Sequence, residues 1–142
     1  MNKNFGADIV RDEAILVGRV LLVLMFLVLG WSKMVNYSNT VDYFENVGLP
    51  LPGITASIAI SAELIFGVAL LLGAFTRPLA IFFAVYTIAT ALIGHHYWTL
   101  TGGAQVNNMI HFYKNVGIAG GFILLFVTGP GKYSIDSRTN MF

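Results

Sequence analysis

Four apolar runs decide what this chain can become. They cover about 14–32, 54–75, 78–97 and 108–128, and each approaches the roughly 20 residues that a helix needs to cross a bilayer. The second run carries a carboxylate, Glu63, near its middle. A charge at mid-membrane costs about 2.5–3.5 kcal/mol on insertion scales. Glu63 therefore requires protonation, a cationic partner or a water-filled pocket, and much of the remaining sequence reads as a way to house it.

Composition agrees. The chain is 56% hydrophobic and 11% charged, with mean hydropathy +0.74, whereas soluble domains run near 25% charged. Net charge is +1 and the eight Lys and Arg stand singly, so no nucleic-acid partner is indicated. There is no cysteine, which excludes disulfides, thiol redox chemistry and iron–sulfur ligation. The tail before the first run sets Lys3 and Arg11 against Asp8, Asp12 and Glu13, and no small-x-small cleavage site follows the run. It reads as a retained anchor rather than a signal peptide. The expectation is an all-α membrane protein, a four-transmembrane-helix bundle forming a single domain over 1–142, with membrane lipid as its solvent.

The connections give the topology. In the polar segment 33–53, Asn39-Thr40 could cap a short amphipathic helix that Gly48 and Pro50 then end; such a helix would lie at the interface. The second and third runs are joined tightly, and Pro78 suits a first helical turn. Gly102-Gly103 reads as a turn, with Asn107 and Asn108 capping the fourth helix. Lys3, Arg11, Arg77, Lys132 and Arg138 fall on the side of both termini, and the two loops on the opposite side have no basic residue in their interiors. The basic side faces the cytoplasm, so both termini are expected there.

Small residues mark the inward faces. Ala59, Glu63 and Gly67 follow i,i+4 spacing, Ala80, Ala84, Thr87, Ala91 and His95 share a face of the third run, and Gly117 and Gly121 form a GxxxG three residues beyond Lys114. Small residues let helix backbones approach closely in lipid. At 1.5 Å per residue, Glu63 lies roughly 13 Å, and Lys114 roughly 6–9 Å, below the loop-side ends of their helices. Lys33, His95, His96 and His111 occupy that same half. Glu63 and Lys114 are the candidate proton-transfer pair, with Lys33, His95, His111 and Asn115 as further lining of a pocket. The plain alternatives are an ion pair that fixes register and interfacial histidines with satisfied hydrogen bonds; the sharper ones are haem ligation by histidine or proton exchange with a quinone. Arg19 and Arg77 read as structural, Arg19 by snorkelling to the interface.

The sequence resembles the DoxX family of small bacterial inner-membrane proteins. The resemblance rests on Gly18-Arg19, Gly30-Trp31-Ser32-Lys33, Gly48-Leu49-Pro50-Leu51-Pro52, Glu63, Gly73 with Thr76-Arg77-Pro78, His111-Phe112-Tyr113-Lys114-Asn115, and the tail Gly129-Pro130-Gly131-Lys132-Tyr133-Ser134-Ile135-Asp136. It implies a multi-pass inner-membrane bundle. Family members are described as oxidoreductases or quinol-oxidase-like subunits; one relative belongs to a thiosulfate:quinone oxidoreductase, and others are linked to resistance to oxidants or aromatic compounds. No universal catalytic motif comes with the resemblance. Two readings of different class follow: a quinone-interacting subunit working with a partner redox enzyme, or a non-catalytic scaffold or assembly factor for such an enzyme. A homo-oligomer is compatible with both. A transporter fits less well, because no paired broken helices or internal repeat is present.

Overall fold

The computed structural model describes residues 9–139; Lys3 and Asp8 of the N-terminal tail and the last three residues lie outside them. Four helices are long and apolar enough to span a membrane: Arg11–Val35, Pro52–Leu72, Thr76–Thr99 and Gly102–Thr128. They are the first to fourth spans here; the α-helical part of the third is Thr76–Gly94. Most large side chains on their outer faces, Leu21, Val85 and Leu124 among them, are exposed. In lipid such faces carry no penalty, and helices are among the few structures that satisfy every backbone group internally there.

The centre is an aromatic cluster. Phe26 of the first span, Phe83 of the third and Phe122 of the fourth have ring centroids 4.8–5.6 Å apart, and Val23, Leu70 and Ala119 close around them. The third and fourth spans make the most extensive helix pairing. On the second and third spans, Ala59, Glu63, Gly67, Ala80, Ala84, Thr87 and Ala91 are buried, as their spacing predicts. The fourth span departs from expectation. Gly117 has open space where a side chain would go, whereas Gly121 sits tightly against Leu22. Ala119, Phe122 and Leu125 supply the buried face instead, because the bulk of Phe122 fills the bundle centre.

Element starts shift towards the N-terminus. The surface helix is Tyr37–Asn46, and Thr40 is not its cap: it is buried inside it and donates to the carbonyls of Lys33 and Asn36. Phe44 of this helix packs on Ala56 and fastens it to the second span. The fourth span begins at Gly102, so Asn107 and Asn108 are not caps but lie within its opening turns. Asn108 instead donates to the Ala104 carbonyl.

The terminal side is knotted by two buried charges. Arg19 is 2% exposed and donates to the carbonyls of Pro130 and Tyr133 at 2.6 Å. It therefore does not snorkel to the interface; its guanidinium holds the tail against the first span. Asp136 accepts the backbone N–H groups of Phe75 and Thr76, each at 2.8 Å, and so caps the third span from sixty residues away. Gly73 makes this approach feasible: it has φ +71, and a Cβ there would stand 2.5 Å from Ser134 and 2.7 Å from Arg19. Arg77 is exposed and its guanidinium lies over Gly129. Lys132 and Tyr133 bind Glu13 at the rim, and the Glu13 hydrogen bond holds the Lys132 ammonium above its ordinary pKa.

Asp136→Ala leaves two N–H groups at the start of the third span without their acceptor. Cap removal costs about 0.5–2 kcal/mol, so thermal unfolding in mild detergent is expected to occur at lower temperature, with faster amide exchange at Thr76. Unchanged exchange there would show that the cap contributes nothing.

Candidate functional site

The site begins at a break in helix geometry. Residues Ala62–Phe66 of the second span form a π-helical turn, and such turns are frequent at functional positions because they re-aim side chains. Glu63 is in this turn, 2% exposed. Gly30 of the first span faces it, where a Cβ would come within 2.9 Å of the Glu63 Cβ. The two helices thus approach as closely as a glycine permits, directly beside the carboxylate.

Glu63 is held through one oxygen. Its Oε1 accepts from the Lys33 ammonium and from the Tyr86 hydroxyl, the latter at 2.7 Å. Its Oε2 is buried with no hydrogen-bond partner among the described residues. The cation at Glu63 is therefore Lys33, not the Lys114 that the sequence suggested. Lys33 lies in the last turn of the first span, and its long stem reaches Glu63 on the second. Lys114 projects from the fourth span, is exposed rather than buried as its small-residue face suggested, and has no ion-pair partner among the described residues.

All six candidate residues nevertheless line one cavity of about 520 Å³: Glu63, Lys114, Lys33, His95, His111 and Asn115. His95 and His111 stack at 5.1 Å between ring centroids. The His95 Nδ1 lies 3.2 Å from the Asn108 Oδ1. His96 does not line the cavity; its ring meets Trp98 edge-on. Tyr43 and Phe44 of the surface helix also line it, and a Cβ on Gly94 would stand 3.0 Å from the Tyr43 hydroxyl.

Sequence reasoning missed Tyr86 and the surface helix as walls. Tyr86 offered a signal, since a phenol deep in an apolar run has a hydroxyl that needs a partner. The Tyr43 contribution depends on how the surface helix folds back over the bundle, which no periodicity encodes.

Chemically, the cavity combines an apolar body with a paired carboxylate, an unpaired ammonium, two imidazoles and an amide. It can accept and donate hydrogen bonds and also bury hydrocarbon. Among the described residues, no group of three or more His, Asp or Glu is placed to hold a metal ion.

Removing Lys33 alone strands a carboxylate in a low-dielectric site. Breaking such a pair costs about 3–5 kcal/mol, whereas removing both charges costs much less. Lys33→Met is expected to destabilise the protein strongly in detergent, and Glu63→Gln added to it to restore most of the loss. Lys114→Met should have a small effect. Equal losses from Lys33→Met and Lys114→Met would show the pairing to be wrong.

The sequence profile of the DoxX family, described as DoxX, matches residues 14–96. Inner membrane protein YphA of Escherichia coli (strain K12) is 47% identical over 135 residues, covering 95% of each chain. Inner membrane protein YqjF of the same strain is 39% identical over 130 residues, covering 92% of this chain and 95% of the relative. No solved structure matches. With four helices able to span a bilayer and relatives of this kind, the chain belongs to the DoxX family and is a multi-pass protein of the inner membrane.

Proposed function

We propose that the cavity receives the ring of a lipid-soluble quinone or quinol, and that the protein is the quinone-handling membrane subunit of an oxidoreductase. The supporting observation is the unequal treatment of the polar groups. Among the described residues Glu63 Oε1 has two donors and its buried Oε2 none, while the exposed Lys114, which lines the same cavity, has no carboxylate partner. A buried polar atom without a partner costs about 1–3 kcal/mol, a cost that proteins retain chiefly where a ligand or proton completes the set. A quinone ring supplies two carbonyl acceptors, and the quinol two hydroxyl donors. Lys114 or a histidine donates to one ring oxygen, and the quinol hydroxyl donates to Glu63.

Reduction of the ring takes two electrons and two protons. The chain has no cysteine and carries no cofactor motif, so the electrons come from a partner enzyme. The protons pass through Glu63, the histidines and Lys114. The whole chain acts as one membrane domain with both termini in the cytoplasm, which sets the cavity in the half of the bilayer away from the cytoplasm.

One observation favours a second reading, a non-catalytic scaffold for a partner enzyme. The Lys33–Glu63 pair lies at the closest approach of two helices, where it would serve register alone. Exchanging the charges, Lys33→Glu with Glu63→Lys, separates the readings: a scaffold keeps its assembly, whereas a ring site loses its ligand.

Purified protein in mild detergent is expected to bind a decyl-tailed benzoquinone saturably, by quenching of Trp and Tyr fluorescence. Glu63→Gln and Lys114→Met should each weaken binding about tenfold, the equivalent of one charge-assisted hydrogen bond. Lys132→Met, at the far rim, should not. Absence of saturable binding to the native protein would contradict the proposal.

A further inference from the structure

A second void lies on the terminal half of the bundle, between the first and fourth spans. It has a volume of about 720 Å³, and its walls are mainly apolar, with Leu22 on one side and Leu124 and Leu125 on the other, while Arg11, Arg19 and Thr128 are its polar lining. Met25 and Ile118 line both this groove and the polar cavity. The two voids therefore adjoin at these two side chains. A third depression, on the second span around Ser57 and Ile58, shares no lining residue with the cavity.

The groove passes a glycine with open space around it, as Gly117 and Gly120 also have. Gly18 lines it, and a Cβ there would meet no atom within 4 Å. Glycine inside a helix costs about 1 kcal/mol relative to alanine, and here no neighbouring helix requires the missing side chain. Gly121, opposite, is different: it is closed by Leu22 at 2.9 Å. From Ile118 to Thr128 the groove runs about 15 Å along the fourth span at 1.5 Å per residue.

We infer that the two voids form a single binding site for a long-tailed amphiphile, its polar ring in the cavity at Glu63 and Lys114 and its hydrocarbon tail laid in the Gly18 groove. The inference rests on the proposed ring site and adds the path of the tail. Continuity through Met25 and Ile118 selects this occupant. The bundle centre is filled by Phe26, Phe83 and Phe122, and the depression that shares Lys33, Tyr43 and Phe44 with the cavity is small, about 180 Å³, and edged by Ser32, Asn36 and Asn39, which does not suit a hydrocarbon tail. A tail attached to a ring in the cavity thus has an apolar lane past Met25. Met is suited to that position, because its unbranched thioether adapts to a passing chain. Gly18 puts no side chain into the groove, and Arg11 and Thr128, from the start of the first span and the end of the fourth, line it furthest from the cavity.

The test uses the same benzoquinone ring without a tail and with a decyl tail, in native protein, Gly18→Leu and Glu63→Gln, each affinity corrected for partition into detergent. In native protein the decyl compound should bind at least tenfold more tightly than the tail-less ring. Gly18→Leu should abolish that gain while leaving tail-less binding unchanged; Glu63→Gln should weaken both. A tail gain that survives Gly18→Leu overturns the inference and leaves the ring site standing. Decyl binding that depends on Gly18 but not on Glu63 keeps the groove and overturns the ring reading. No binding of either compound overturns both. A decyl quinone with a tail diazirine, used on native protein alone, gives a readout independent of the folding of any variant. Adducts are expected at 18–25 and 118–125, and adducts confined to the outer faces of the second and third spans would contradict the tail path.

Discussion

The Lys33–Glu63 pair is the constraint around which the loop-side half of this bundle is arranged. A carboxylate in the middle of a spanning helix must be neutralised, and the cation comes from the end of a neighbouring helix rather than from the same depth. Lys33 reaches Glu63 because Gly30 lets the two backbones come together, and because the π-turn aims the acid at the first span. Tyr86 then fixes the carboxylate from the third span. Three of the four helices are tied at one oxygen, and the fourth presents Lys114 across a gap.

The terminal half solves the converse problem with the converse charge. Arg19 is buried and its two terminal nitrogens donate to carbonyls of the returning tail, and Asp136 of that tail caps the third span. Both ends of the bundle are thus closed by a charge that meets a distant segment. The difference lies in what remains between the helices. The terminal end is filled by the tail, with its void outside along the first–fourth seam, whereas the loop end keeps an interior cavity.

How much of this was legible in the sequence depends on the kind of interaction. The spans were legible because twenty apolar residues in a row have few other uses. The inward faces of the second and third spans were legible because small residues and Glu63 recur at helical spacing. The gathering of Glu63, Lys33, Lys114, His95, His111 and Asn115 around one space followed from helix rise and antiparallel order. Which lysine meets the acid was not legible: it depends on helix rotation and on a one-residue glycine contact, and Lys33 and Lys114 both satisfy the depth argument. Arg19 misled for a related reason. Snorkelling is the usual fate of an arginine near a helix end, and only the folded tail, with its free carbonyls, makes burial favourable. The early start of the fourth span was hidden by Gly102-Gly103, a pair that reads as a turn until the helix is seen to begin with it.

The central claim is that Lys33, arriving from the adjacent helix, is the group that neutralises Glu63 in the membrane. Solid-state NMR of the protein in lipid bilayers, with lysine labelled at 15Nζ and glutamate at 13Cδ, measures that contact directly. The account predicts a short-range Lys33–Glu63 correlation and none from Lys114. A correlation of Glu63 with Lys114, or with no lysine at all, would contradict it.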